Sequence, residues 1–260
     1  VRNLRSLSIV FVIAGVLALV RFTLPTNTQV ALAFNHQNPS LYALWTSALV
    51  HESNAHLFNN LRGYLLTALP AYAAFALLDQ RRKFWVTTVA FLVIVPPLAT
   101  GLSFLVFDYK GIELIYSRGF SAVVGAYAGL AIIAGLQLVE EAPNTEIGYY
   151  ICANYGLVLF AVFALEFPDL RLLFGILFFV SVLVLIWGFR REIVADPTEV
   201  GTWFKENTVV GAVSVVGFLS GVLIVLGLFP SEVAQGGTLV NFVGHGVGII
   251  FGLLAGLNVL

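Results

Sequence analysis

The segment SAVVGAYAGLAIIAGLQLV, residues 121–139, holds no charged side chain and is about as long as a bilayer's hydrocarbon core demands of a helix. Backbone groups in hydrocarbon must be satisfied within the segment, so such a run reads as a membrane helix. Ser121, Gly125 and Gly129 stand four apart in it. That spacing makes a small-residue face against which a second backbone packs closely. Ser121 opens the run, and Gly119 stands two residues ahead of it.

The rest of the chain has the same character. Its 260 residues are 59% hydrophobic and 10% charged, with a mean hydropathy of +0.95, whereas soluble chains are roughly 25% charged. Further apolar runs cover 7–24, 57–78, 84–107, 149–165, 172–189, 209–229 and 238–257. Together they predict an all-α polytopic membrane protein with about eight transmembrane helices in one domain, 1–260. Arg2 and Arg5 precede the first run as in a signal peptide, yet Arg21 follows its apolar core and no small-x-small cleavage site appears, so the run is expected to remain as a span. Methionine is absent even at position 1, which fits a trimmed or alternative start. A net charge of −1 offers no basic footprint for nucleic acid. A single cysteine, Cys152, excludes internal disulfides and a cysteine-based zinc site.

Loop charge orients the spans. With a cytoplasmic N-terminus, the inner loops hold Arg2, Arg5, Arg81, Arg82, Lys83, Arg190, Arg191 and Lys205, against Lys110, Arg118 and Arg171 outside. This satisfies the positive-inside rule. The acidic loop 140–146 adds nothing to that count. Residues 25–50 carry no charge and are too broken for a span. They are expected at the interface, with Tyr42 and Trp45 at headgroup level. Residues 193–208 read as an interfacial connector on the cytoplasmic side.

Polar groups inside a membrane are costly and mark candidate sites. One cluster, His51-Glu52-Ser53-Asn54-Ala55-His56-Leu57-Phe58-Asn59-Asn60, stands where the second span begins. His56 and Asn60 are one helical turn apart, about 40° on one face. His51 and His56 lie about 140° apart on a helix, which argues against a metal pair. The last run carries Gly244, Gly248, Gly252 and Gly256, again four apart, with His245 projecting from within the glycine stripe. If the two small faces pack together, a serine hydroxyl meets an imidazole near the outer ends of two helices. That is what a nucleophile and its general base require.

At these residues the sequence resembles the rhomboid family of intramembrane serine proteases, whose pattern is His-x4-His-x3-Asn, then Gly-x-Ser, then His-x2-Gly-x3-Gly. Here His51, His56 and Asn60 match the first motif, Gly119 and Ser121 the second, and His245, Gly248 and Gly252 the third. Thr46-x-Ala48 before His51 is also similar. The resemblance implies a catalytic Ser121–His245 dyad without a carboxylate, cofactor or metal. It implies an oxyanion hole from the Ser121 N–H, His56 and Asn60, with His51, Gly119, Gly125, Gly129, Gly244, Gly248 and Gly252 in supporting positions. The substrates it implies are transmembrane segments, locally unwound and cut near their outer ends by a protein of the cell membrane.

The sequence departs from the family pattern in several places. Ala122 replaces a common glycine, and Tyr42-Ala43 stands where many bacterial members have Trp-Arg. Gly125 stands where some relatives carry a tyrosine packed on the histidine, so His245 needs another support. From Ser121 to His245 is 245 − 121 = 124 residues, room for three helices where the six-helix core has one. Both numbers are odd, so the last span still begins on the outer side. Two inserted helices are expected within 149–189, outside the core. Two other readings stand beside this one: a non-catalytic rhomboid-like protein that binds membrane proteins, and a small-solute transporter. The transporter reading expects matched broken helices; the Pro96-Pro97 interruption of the third span has no second copy.

Overall fold

The computed structural model describes residues 2–112, 114–140, 145–191, 195–229, 234–235, 238–239 and 241–259. They form α1 (Arg2–Thr23), α2 (Thr26–Leu32), α3 (Ala43–Thr46), α4 (Asn54–Leu77), α5 (Arg81–Lys110), α6 (Ser121–Glu140), α7 (Thr145–Glu166), α8 (Arg171–Arg190), α9 (Pro197–Glu206), α10 (Thr208–Leu228) and α11 (Phe242–Val259). Two short antiparallel pairs join loops: β1 (Phe34–Asn35) with β2 (Tyr116–Ser117), and β3 (Ala234–Gln235) with β4 (Thr238–Leu239).

Each expected span has a helix. Five of these are long and apolar enough to cross a membrane: Arg81–Lys110, Ser121–Val139, Glu146–Glu166, Pro168–Arg190 and Thr208–Leu228. Leu7–Thr23 and Phe242–Leu257 are shorter apolar helices. Asn60, Arg62 and two tyrosines dilute the apolar character of α4. The short runs 149–165 and 172–189 lie in helices of 22 and 20 residues, which start earlier, at Thr145 and Arg171. The last helix begins at Phe242, not at 238, because Thr238 and Leu239 pair as a strand. Residues 141–144 of the acidic loop and 193–194 of the connector lie outside the described residues.

Pro96 and Pro97 do not interrupt α5, which runs through them. A proline leaves the carbonyl four residues back without its helical donor. For Pro97 that carbonyl belongs to Val93, and the indole Nε1–H of Trp45 donates to it at 2.8 Å. Trp45 thus repairs the helix and fixes the 25–50 segment to its flank.

Central α6 is packed by α11, α10 and α4, and α5 covers α11. Its Tyr127 lies edge-on to Tyr64 at 5.1 Å and to Phe91 at 5.2 Å, with its hydroxyl donating to Thr88. Such aromatic pairs contribute about 0.5–1.5 kcal/mol beyond their area. The α7–α8 hairpin packs chiefly on itself. It is anchored by Tyr155, which stacks on Phe218 at 4.1 Å and hydrogen-bonds Ser214, whose hydroxyl donates to the Gly135 carbonyl.

Candidate active site

The α6 and α11 axes approach more closely than a Cβ would permit. A methyl at Gly129 would stand 2.6 Å from the Ile249 carbonyl oxygen. Methyls at Gly248 and Gly252 would collide with the carbonyls of Ala122 and Ala126, and one at Gly256 with Ile133. These contacts advance together along both chains, so the helices run parallel and their first turns lie at one level. Gly125 joins this face, 3.1 Å from the His245 carbonyl for an added Cβ. Gly244 does not: its neighbour is Asn241, just before its own helix.

At the top of this contact the Ser121 hydroxyl donates to His245 Nε2 at 2.9 Å. On the other side of the ring, Nδ1 lies 2.7 Å from the Leu228 carbonyl. A carbonyl only accepts, so Nδ1 carries the hydrogen and Nε2 of the neutral ring keeps a free lone pair toward Ser121. Phe229 packs edge-on against the imidazole, 6.1 Å between ring centres. Leu228 and Phe229, at the end of α10, are therefore the support for His245 that Gly125 does not provide.

Asn241 sets the start of α11. Its side-chain oxygen accepts from the Gly244 N–H at 2.9 Å and from the Ser103 hydroxyl at 2.7 Å, and its carbonyl accepts from the His245 N–H. Sequence reasoning passed over it, although an Asn three residues before Gly244 in an apolar run is a helix-start signal.

His56 and Asn60 converge on the turn before Ser121. Gly119 has φ +119°, and a Cβ there would stand 2.7 Å from His56 Nε2 and 3.5 Å from Asn60 Nδ2. Only glycine admits both the backbone conformation and the two side chains. The Gly119 N–H is fixed by the Ser47 carbonyl at 2.9 Å, and Arg118 pairs with Glu52 at 3.3 Å. Asn60 Nδ2 is buried and unpartnered. Buried amides without partners are rare. Here it borders a cavity of about 1050 Å³ that also reaches Ser121, His56 and His245.

His51 is buried behind this group, its ring 5.2 Å from that of His56, with neither nitrogen hydrogen-bonded. Burial pushes its pKa down to about 3, helped by the neighbouring His56 and Arg21. It is neutral at physiological pH. Arg21 holds this loop in place by donating to the His51 carbonyl, to Asn54 and to Gln29. The arginine at the end of the first run is thus a knot between α1, α2 and α4.

Among the described residues no group of three His, Cys, Asp or Glu side chains is arranged to hold a metal ion. The arrangement presents instead a hydroxyl with a base in line, and amide and imidazole donors beside it. In comparisons with known proteins, no family model, no curated protein and no solved structure matches the chain.

Proposed function

We propose that the chain is an intramembrane serine endopeptidase of the rhomboid type, with eight membrane-crossing helices, a cytoplasmic N-terminus and Ser121 near the outer face of the cell membrane. The observation that carries this reading is the relay Ser121 Oγ, His245 Nε2, His245 Nδ1, Leu228 O, at 2.9 and 2.7 Å. A serine that merely satisfied itself in a helix would bond a carbonyl one turn back. Ser121 bonds an imidazole 124 residues away.

In the reaction, Ser121 Oγ attacks a peptide carbonyl and forms the O–C bond while His245 Nε2 takes the hydroxyl proton. The same proton passes to the leaving amine as the C–N bond breaks. Water then attacks the acyl-enzyme carbonyl as His245 Nε2 takes its proton; the Ser121 Oγ–C bond breaks, the proton passes from Nε2 to Oγ, and the carboxyl product leaves. As the first residue of α6, Ser121 has no intrahelical acceptor for its N–H. That N–H, Asn60 Nδ2 and the His56 ring receive the developing oxyanion. Such preorganised donors typically accelerate acyl transfer more than any other single effect. The substrate is a transmembrane segment that unwinds locally, because a helix's carbonyls are already hydrogen-bonded.

The test is fluorophosphonate labelling of the detergent-purified protein beside Ser121→Ala and His245→Ala, together with cleavage of a model transmembrane substrate. Labelling lost in both variants is expected. A folded wild type that neither labels nor cleaves would overturn the proposal in favour of a protein that only binds membrane segments.

A further inference from the structure

At the end of the molecule remote from Ser121, a cleft of about 450 Å³ opens between α1, α4, α10 and the start of α5. Leu7, Leu69, Val209 and Val213 give it apolar walls, and Tyr72 and Arg81 stand among them. Tyr72 is 6% exposed, and its hydroxyl is buried without a partner. Its ring is held against Phe84 and Trp85, centre distances 5.3 and 5.9 Å, so the hydroxyl is not free to turn to water. The Arg81 Nε–H is likewise buried and unpartnered, while its outer nitrogen makes only an exposed pair with Asp79. An exposed pair of that kind holds a guanidinium weakly.

The local electrostatics point the same way. The first turn of α5 reads Arg81-Arg82-Lys83, with no acidic residue and no side-chain cap. Three cations at the positive end of a helix dipole are unfavourable by themselves, and the amides of Arg81 and Arg82, ahead of the Lys83 N–H that the Gln80 carbonyl accepts, await an acceptor. Loop cations alone are explained by membrane orientation. A buried tyrosine hydroxyl with no partner is not. Phosphate meets both needs, and an acyl chain fits the apolar walls beside it.

We propose that this cleft is a site for one anionic glycerophospholipid of the leaflet opposite Ser121. Its phosphate accepts from Tyr72, from the Arg81 side chain and from the Arg81 and Arg82 amides, and one acyl chain lies along Leu7, Leu69 and Val213. The lipid bridges the four helices that line the cleft. The inference rests on membrane insertion and is independent of any protease activity.

Native mass spectrometry and thermal unfolding of the delipidated protein, titrated with phosphatidylglycerol or phosphatidylcholine of the same chains, test it. The expected result is a single retained phosphatidylglycerol that raises the unfolding midpoint, with phosphatidylcholine much weaker. Tyr72→Phe keeps the ring and the net charge and removes only the hydroxyl. It should weaken phosphatidylglycerol retention about tenfold or more, the effect of one hydrogen bond to a charged group. Arg190→Gln, a cation on the same side at the end of α8, should leave retention unchanged. Equal retention of the two lipids, or retention insensitive to Tyr72→Phe, would overturn the site. A Tyr72-dependent stabilisation by inorganic phosphate alone would overturn the lipid assignment.

Discussion

Gly129→Ala probes the closest part of the α6–α11 contact without touching Ser121 or His245. The new methyl would lie 2.6 Å from the Ile249 carbonyl and 2.7 Å from the Leu253 nitrogen, both backbone atoms of α11. Ordinary contact begins at 3.4 Å. No flexible side chain stands there to give way, so the helices must separate by about 0.8 Å. Carried rigidly to the top of the contact, that shift stretches the 2.9 Å bond between Ser121 and His245 beyond hydrogen-bonding reach. A misplacement near 1 Å costs about 100-fold in rate. The fluorophosphonate labelling rate and cleavage of a model substrate should both fall by about that factor, while the protein stays monodisperse. Gly156→Ala, on α7, is the control: the same methyl meets nothing within 4 Å and should leave activity unchanged. Wild-type rates in Gly129→Ala would refute the idea that close backbone approach sets the serine–histidine geometry.

Three further outcomes follow from the site and its supports. Asn60→Ala should lower kcat about 100- to 1,000-fold with little change in KM, because it removes a donor needed chiefly in the transition state. Trp45→Phe leaves the Val93 carbonyl without the indole donor and should destabilise the protein by about 1–3 kcal/mol, read as a lower unfolding midpoint in detergent. His51 has a folded pKa of about 3 against an ordinary 6.5, so between those values the unfolded chain binds a proton that the folded one excludes. Stability is therefore full above pH 6.5 and falls as the pH drops toward 3, by up to about 1.4 kcal/mol per pH unit. Unfolding midpoints from pH 7 to pH 4 should fall more steeply in the wild type than in His51→Leu, and parallel curves would refute the assignment.

The helices were legible because hydrocarbon leaves a chain few alternatives to long apolar runs, and the spacing of Ser121, Gly125 and Gly129 against Gly248 and Gly252 exposed the face that brings α6 to α11. What sequence could not show is where backbone atoms serve as partners. The Leu228 carbonyl that orients His245 carries no side-chain signature. The Val93 carbonyl becomes an acceptor only because Pro97 frees it, and Trp45 reaches it from a segment read as a headgroup anchor. Arg21 looked like a flank of the first run, whereas it ties together three elements. The last helix starts late for a related reason: the apolar pattern runs on through Thr238 and Leu239, but their partners are the strand residues Gln235 and Ala234.

The separation of 124 positions between Ser121 and His245 explains how the proposed two-residue site would manage without a carboxylate. Three membrane-length helices, α7, α8 and α10, stand between α6 and α11, and an odd number carries the chain from the far end of α6 back to the level of Ser121. The hairpin of α7 and α8 pairs mainly with itself, so it takes up the extra length without separating the helices that matter. The third, α10, stays packed on both α4 and α6, and it ends at the level where α6 and α11 begin. Its last residue is Leu228, whose carbonyl has no helical donor because the helix stops there. A helix C-terminus also carries partial negative charge, which favours a nearby cation by up to about 2 kcal/mol when partly buried. In the proposed reaction His245 becomes such a cation as it takes the Ser121 proton, 2.7 Å from that carbonyl. In that proposed reaction the end of α10 would take the part that a buried aspartate plays in a three-residue serine site. It fixes the tautomer in the resting site and would offset the imidazolium during the proposed reaction, with no ionised carboxylate to bury.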